Sequence, residues 1–167
     1  MTKKLYDITL SNTKKYVWFR VPKVGSRTIL QLLNKNNAIG EGFPLYEKKD
    51  SGYNREYDRN WDSYFKFTFV RNPFDRLVSA YYDKVVNKHD IPFYDKFRNL
   101  SFKEFVLKLR EVDLEKTNDV GMMCTDKHIV PQVSIIPTGC ECFVAKFENL
   151  QEDFNTICDK IGIPRQE

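Results

Sequence analysis

Within six positions the chain places Lys23, Gly25, Ser26 and Thr28, a set that could hold a phosphate. Gly25 lets backbone N–H groups turn toward an anion, two hydroxyls donate hydrogen bonds, and the Lys23 ammonium supplies charge. Val24 and Arg27 complete the loop. A second set follows at Arg71 and Ser79. A guanidinium grips a phosphate through two parallel hydrogen bonds. Two anion sites in one small chain point to a ligand with two separated phosphates.

The elements needed to aim these groups surround them. Tyr16 to Val21 is β-branched and aromatic and is closed by Pro22, which predicts a buried strand. Ile29, Leu32 and Leu33 recur at helical spacing from Thr28 until Asn36 and Asn37. The first loop therefore lies between a strand and the positive end of a helix dipole. Phe65 to Val70 predicts a second buried strand, and Asn72-Pro73 starts a helix with proline where a missing N–H costs nothing. Leu77, Ala80, Tyr81 and Val85 mark its core face. Ser101 with Glu104 forms a capping box, and Leu100 with Phe105 a hydrophobic staple, ahead of Val106, Leu109 and Val112. Cys142 to Phe147 predicts another strand. A last helix follows, with Asn149 as N-cap, an apolar face of Leu150, Phe154, Ile157, Cys158 and Ile161, and a stop at Gly162 and Pro164. Residues 38 to 62 and 113 to 141 predict irregular segments, and long loops in compact domains are often functional. Strands alternating with helices imply an α/β, P-loop-like three-layer fold with a mainly parallel central sheet flanked by helices on both faces.

At 167 residues the chain fits one domain spanning 1–167. A composition 41% hydrophobic and 14% aromatic argues for a folded protein and against disorder. The 27 Lys and Arg against 23 Asp and Glu leave a net charge of +4, which favours anionic ligands. That charge is too mild and dispersed to argue for nucleic acid, and no aromatic-rich basic motif supports RNA binding. Met1 to Asp7 lacks the apolar run of a signal peptide, and no stretch approaches transmembrane length. The expectation is a soluble cytoplasmic protein with no membrane partner. Cys124, Cys140, Cys142 and Cys158 lack the C-x-x-C spacing of a structural zinc site and are expected as free, mostly buried thiols. A disulfide belongs to the alternative in which the chain is a lumenal fragment.

The position of the lysine separates phosphate chemistries. A Walker A loop, Gly-x-x-x-x-Gly-Lys-Ser/Thr, carries its lysine at the end, whereas Lys23 comes at the start. No Lys-Ser/Thr pair opens the helix to hold phosphate and magnesium together, so a metal-free cradle fits better than an ATPase or kinase. Arg71 stands at the carboxyl end of a buried strand, where open α/β sheets bind ligands. The structural alternatives are a surface ion pair of Arg71 with Asp75 and a small residue at Ser79 that permits helix packing.

These residues carry a resemblance. Pro22-Lys23-Val24-Gly25-Ser26-Arg27-Thr28 resembles the 5′-phosphosulfate loop of sulfotransferases, and Phe69 to Tyr81, Phe-Val-Arg-Asn-Pro-Phe-Asp-Arg-Leu-Val-Ser-Ala-Tyr, resembles their 3′-phosphate motif. The nearest group is the Golgi carbohydrate sulfotransferases and their bacterial relatives. His128-Ile129-Val130-Pro131-Gln132 and the segment Phe143 to Asp153 resemble that family's C-terminal half. The resemblance implies an enzyme that uses 3′-phosphoadenosine 5′-phosphosulfate and needs no metal. Lys23, Gly25, Ser26 and Thr28 would hold the phosphosulfate, and Arg71 and Ser79 the 3′-phosphate. Sulfuryl transfer in line to an acceptor hydroxyl, with a sugar as the expected acceptor, leaves 3′,5′-adenosine bisphosphate as product. Lys23 is then placed to stabilise charge on the bridging oxygen. Arg27 stands where the resemblance calls for a small or hydroxyl residue, and either adds a phosphate contact or points to solvent.

The acceptor hydroxyl must lose a proton, and related sulfotransferases use His or Glu for this. His128 lies in a segment that resembles the family and is the better of two histidines, since His89 reads as a solvated helix-end residue. Glu41 and Glu47, between the two phosphate motifs, are rivals for the role. Two other readings stand beside the transferase: a small P-loop-type kinase, and a non-catalytic nucleotide-binding module that kept the cradle and lost the base.

Overall fold

Strands β1 (Tyr6–Ser11), β2 (Tyr16–Phe19), β3 (Asn54–Arg55), β4 (Phe65–Val70) and β5 (Phe143–Lys146) form one sheet in the order β3-β1-β2-β4-β5. The computed structural model describes residues 6–36, 38, 54–55, 58–87, 91–114 and 126–166. β2, β4 and β5 run parallel, as strands joined through helical crossovers must. β1 is antiparallel to both β2 and β3. The sheet is therefore mixed, and the expectation of a mainly parallel sheet holds only for its β2-β4-β5 half. β1 has no counterpart among the expected strands, although Asp7, Thr9 and Ser11 alternate with Tyr6, Ile8 and Leu10 as strand residues do. The three polar residues are all buried in the fold.

Alternation along the strands sends Tyr16, Trp18, Phe67, Phe69 and Ala145 to one face, where they pack with Ile29 and Leu33 of helix α1 (Ser26–Lys35) and Phe154, Ile157 and Ile161 of helix α4 (Leu150–Ile161). Trp18 and Phe67, opposite one another on β2 and β4, stack with centroids 5.9 Å apart and planes 9° from parallel. Burying each such ring contributes on the order of 2–3 kcal/mol. On the other face Ile8, Val17 and Phe19 meet Trp61, Ile136 and Cys142, which belong to turns and irregular chain. Helices on both faces are thus not what the described residues show: α1 and α4 share one face. Helix α2 (Pro73–Tyr81), its wider π-type continuation Tyr82–Val86, the 3-10 turn Pro92–Phe97 and helix α3 (Phe102–Leu109) form a separate aromatic cluster around Tyr81, Tyr94, Phe97 and Phe105.

Local signals placed most boundaries. The Asn72 side chain accepts from the N–H groups of Phe74 and Asp75 ahead of Pro73, and the Ser101–Glu104 box closes at both ends. Asn149 departs from expectation, since its side chain makes no cap bond. Asp153, one turn into α4, instead accepts from the Lys146 N–H at 2.6 Å and ties the helix to the end of β5. Gly162, at φ 67, ends α4. No helix among the described residues is long and apolar enough to cross a membrane. Cys142 and Cys158 carry free thiols, and burial pushes that of Cys142 up to about 12. Cys124 lies outside the described residues.

Candidate functional site

Parallel pairing brings the carboxyl ends of β2, β4 and β5 to one edge, so the loop after Phe19, Arg71 and Phe147 converge there. Because β1 runs the other way, its first residues reach the same edge, and the Arg20 N–H donates to the Asp7 carbonyl at 2.8 Å. The loop itself is tightly wound. Lys23 and Gly25 both adopt left-handed backbone, at φ 69 and φ 77. For Lys23 that conformation costs energy, of the kind that accumulates at functional sites. At Gly25 a Cβ would come within 2.9 Å of the Phe147 ring, so only glycine fits. Ser26 opens α1 and donates to the Val21 carbonyl at 3.2 Å, which leaves its oxygen lone pairs and the first N–H groups of the helix at the loop.

These residues line a cleft of about 470 Å³. Lys23, Gly25, Ser26, Arg27, Thr28, Arg71, Ser79 and His128 all reach it, so the two phosphate motifs and the histidine meet in one place. Arg27 and Thr28 are exposed at the start of α1. Val24 stands apart, its side chain fully buried in the core against the sheet. Glu41, Glu47 and His89 lie outside the described residues.

Arg71 is held from three sides. The Gln132 side chain brackets its backbone, accepting from the N–H at 2.9 Å and donating to the carbonyl at 2.8 Å. Its guanidinium lies 4.7 Å from the centre of the Phe147 ring and contacts the Lys23 carbonyl at 3.4 Å. The next residue, Asn72, donates its N–H to Glu148 at 2.6 Å. A cation stacked on an aromatic face keeps its charge while its fork is fixed in direction.

Arg76, which sequence reasoning passed over, holds the site together. It is 4% exposed on α2, and its guanidinium donates to the carbonyls of Pro22 at 3.0 Å, Val130 at 2.9 Å and Lys127 at 2.8 Å. One side chain thus joins the first loop, the second motif and the segment carrying His128. Burial draws its pKa down to about 10, so it stays charged at neutral pH. Nothing in the sequence singles it out, because its partners are backbone carbonyls of distant segments.

Electrostatics define the floor of the cleft. Lys23 Nζ lies 3.1 Å from Asp83 Oδ2, and Lys84 Nζ 3.0 Å from the same oxygen. Burial alone would raise the Asp83 carboxyl, but the hydrogen bonds from Lys84 and Lys23 outweigh it and hold it at about 2. Lys127 pairs with the buried Asp7, whose other oxygen is 3.7 Å from Arg20. Among the described residues that line the cleft, Arg20, Lys23, Arg27, Arg71, Lys84 and Lys127 thus face the two carboxylates of Asp7 and Asp83. Burial lowers the His128 pKa more than the neighbouring Asp126 raises it, so the imidazole is neutral near pH 7. Among the described residues no group of three or more His, Cys, Asp or Glu is placed to hold a metal ion.

A strand-loop-helix cradle paired with an arginine and a serine from the next parallel strand makes a site of the anion-binding class. The chain matches the sulfotransferase family over residues 6–167 and belongs to it. It is 31% identical to human carbohydrate sulfotransferase 9 over 195 residues, covering 95% of this chain and 42% of that protein. Similarity also extends to carbohydrate sulfotransferase 11 of Mus musculus, 28% identical over 65% of this chain and 36% of the relative, and to carbohydrate sulfotransferase 10 of Xenopus laevis, 27% identical over 93% and 53%. The chain spans about half or less of the length of these relatives. A comparison with solved structures gave no significant match.

Proposed function

We propose that this chain transfers the sulfuryl group of 3′-phosphoadenosine 5′-phosphosulfate to a hydroxyl of a carbohydrate, from a P-loop-like α/β fold. The observation that carries this reading is the opening of both anion motifs onto one cleft of about 470 Å³, Lys23, Ser26 and Thr28 from one loop and Arg71 with Ser79 from the next. An excess of cations over carboxylates fits a donor that is anionic at two ends. The names of the similar proteins support a carbohydrate acceptor. The parallel β2-β4-β5 core, with its loops at the strand carboxyl ends, supports the P-loop-like reading.

Lys23, Ser26, Thr28 and the N–H groups around Gly25 would hold the phosphosulfate. Arg71 and Ser79 would hold the 3′-phosphate, with Arg27 as a further cation at the rim. When bound, the donor supplies an activated sulfuryl whose leaving oxygen gathers negative charge as its bond to sulfur breaks. The Lys23 ammonium would stabilise charge of that kind, and the reading calls for no metal because the cation would come from the chain itself. His128, neutral near pH 7 and lining the same cleft, accepts the proton of the acceptor hydroxyl.

The test is thermal. 3′,5′-Adenosine bisphosphate should raise the melting temperature well above the effect of equal ATP or AMP, and no shift would overturn the proposal. Arg71→Ala should weaken that binding by roughly 10- to 100-fold, the usual loss for a charge-assisted hydrogen-bond pair. Radiolabelled transfer to a carbohydrate panel then tests the reaction.

A further inference from the structure

Three hydrogen bonds meet on one oxygen beside the cleft. Asp126 Oδ1 accepts from the His128 backbone N–H at 2.8 Å, from the Tyr94 hydroxyl at 3.1 Å and from His128 Nδ1. Tyr94 is fully buried, and the carbonyls of Lys127 and Val130 on either side of His128 are both anchored by Arg76. An ionised carboxylate can only accept, so Nδ1 carries the proton and the other ring nitrogen, Nε2, has the lone pair. We propose that Asp126 is a positioning residue for catalysis, fixing the tautomer and direction of His128 so that Nε2 is the atom that takes the acceptor proton.

The inference rests on the reading of His128 as the base. In that step the acceptor O–H bond breaks, an N–H bond forms at Nε2, and the imidazolium keeps its Nδ1 proton against Asp126. Asp126 is suited to this: burial would raise its carboxyl, but the bonds from His128 outweigh burial and keep it ionised. Among the described residues, the charged and titratable groups around the pair are Tyr94, Arg76, Asp83, Lys84 and Lys127. Lys84 and Lys127 push His128 toward the neutral form, and Asp126 opposes them. Tyr94 tempers Asp126 by donating to it, so losing that hydroxyl would strengthen the carboxylate's hold on the imidazolium.

The sequence has two histidines, so His128 is easily followed by NMR titration of its ring protons, with His89→Asn assigning the other. Asp126→Asn should lower the His128 midpoint and Tyr94→Phe should raise it, opposite shifts that a packing role would not produce. The acid limb of kcat/KM should move the same two ways. In Asp126→Asn, kcat should fall roughly 10- to 100-fold, within the range of general acid–base effects, while the thermal shift by 3′,5′-adenosine bisphosphate stays at the wild-type value. A His128 midpoint unmoved in both variants overturns the positioning role. Should Asp126→Asn not fold, Tyr94→Phe alone decides it, because the buried ring is kept and only the donated hydrogen bond is lost. His128→Asn at the wild-type rate overturns instead the reading of His128 as base, whatever the titrations show.

Discussion

Lys23 and Asp83 form an ion pair at 3.1 Å, so the ammonium of the first anion loop is already matched by a carboxylate from the turn that continues α2. An incoming phosphosulfate must compete with that carboxylate for Lys23. Asp83→Asn removes the competitor and one of the two carboxylates that line the cleft among the described residues. Affinity for 3′,5′-adenosine bisphosphate, measured by calorimetry, should rise by roughly 2- to 10-fold, the scale of one partly screened charge a few ångströms away. Weaker binding in the variant would mean that Asp83 orients Lys23 rather than competing for it.

Asp83, held by Lys84 and Lys23, sets a pH dependence. The folded-state pKa of Asp83, about 2, lies below its ordinary value of 3.8, so the unfolded chain takes up the proton first as pH falls. Its contribution to stability is full above about pH 4 and is lost as pH falls through 2. Wild type should therefore melt about 1–3 °C above Asp83→Asn near pH 7, as expected for a partly exposed pair, and the gap should close between pH 4 and pH 2. A gap that persists at pH 2 would assign it to packing or to hydrogen bonds that survive protonation.

What could be read from sequence was local, and what could not was set by distant partners. The ends of β4 at Phe65 and Val70, Pro73 at the start of α2 and the Ser101–Glu104 box each depend on residues within one turn or strand. The convergence of Lys23 and Arg71 was legible because each lies in a strand-loop-helix unit, and parallel strands put both loops at one edge. The burial of the polar face of β1 was not, because Asp7 is matched by Lys127, 120 positions away. Arg76 and Asp83 likewise sit at helix positions where charged residues are ordinarily solvated, and only tertiary contacts give them their roles. The Asp-x-His spacing of residues 126 and 128 was a signal present in the sequence, since a carboxylate two positions before a histidine can reach back to its ring.

Gly25 couples the first loop to the second. Gly25→Ala must hold a Cβ at φ 77 and within 2.9 Å of the Phe147 ring on which Arg71 stacks. The strained backbone alone costs about 1–3 kcal/mol, and displacement of the ring disturbs the guanidinium. Urea unfolding should show that loss, and bisphosphate affinity should fall with it. Adding Phe147→Leu to Gly25→Ala makes room for the methyl group and should recover part of the stability but not the affinity, since the aromatic platform is gone. Full additivity of the two substitutions would show that loop and ring are not coupled.

Arg76 is the more severe test, because one guanidinium serves three carbonyls drawn from two distant segments. Arg76→Lys keeps the charge but offers a single ammonium in place of a planar fork, and cannot reach Pro22, Lys127 and Val130 together. At least one buried carbonyl then lacks its donor, and the buried ammonium is poorly solvated. The expected loss is about 3–5 kcal/mol in urea unfolding. Because Pro22 leads into the first loop and Lys127 and Val130 flank His128, bisphosphate affinity and the His128 titration should both change in this one variant. A loss below about 1 kcal/mol with wild-type binding would show that the three segments are held in register without Arg76, and that sheet packing alone assembles the cleft.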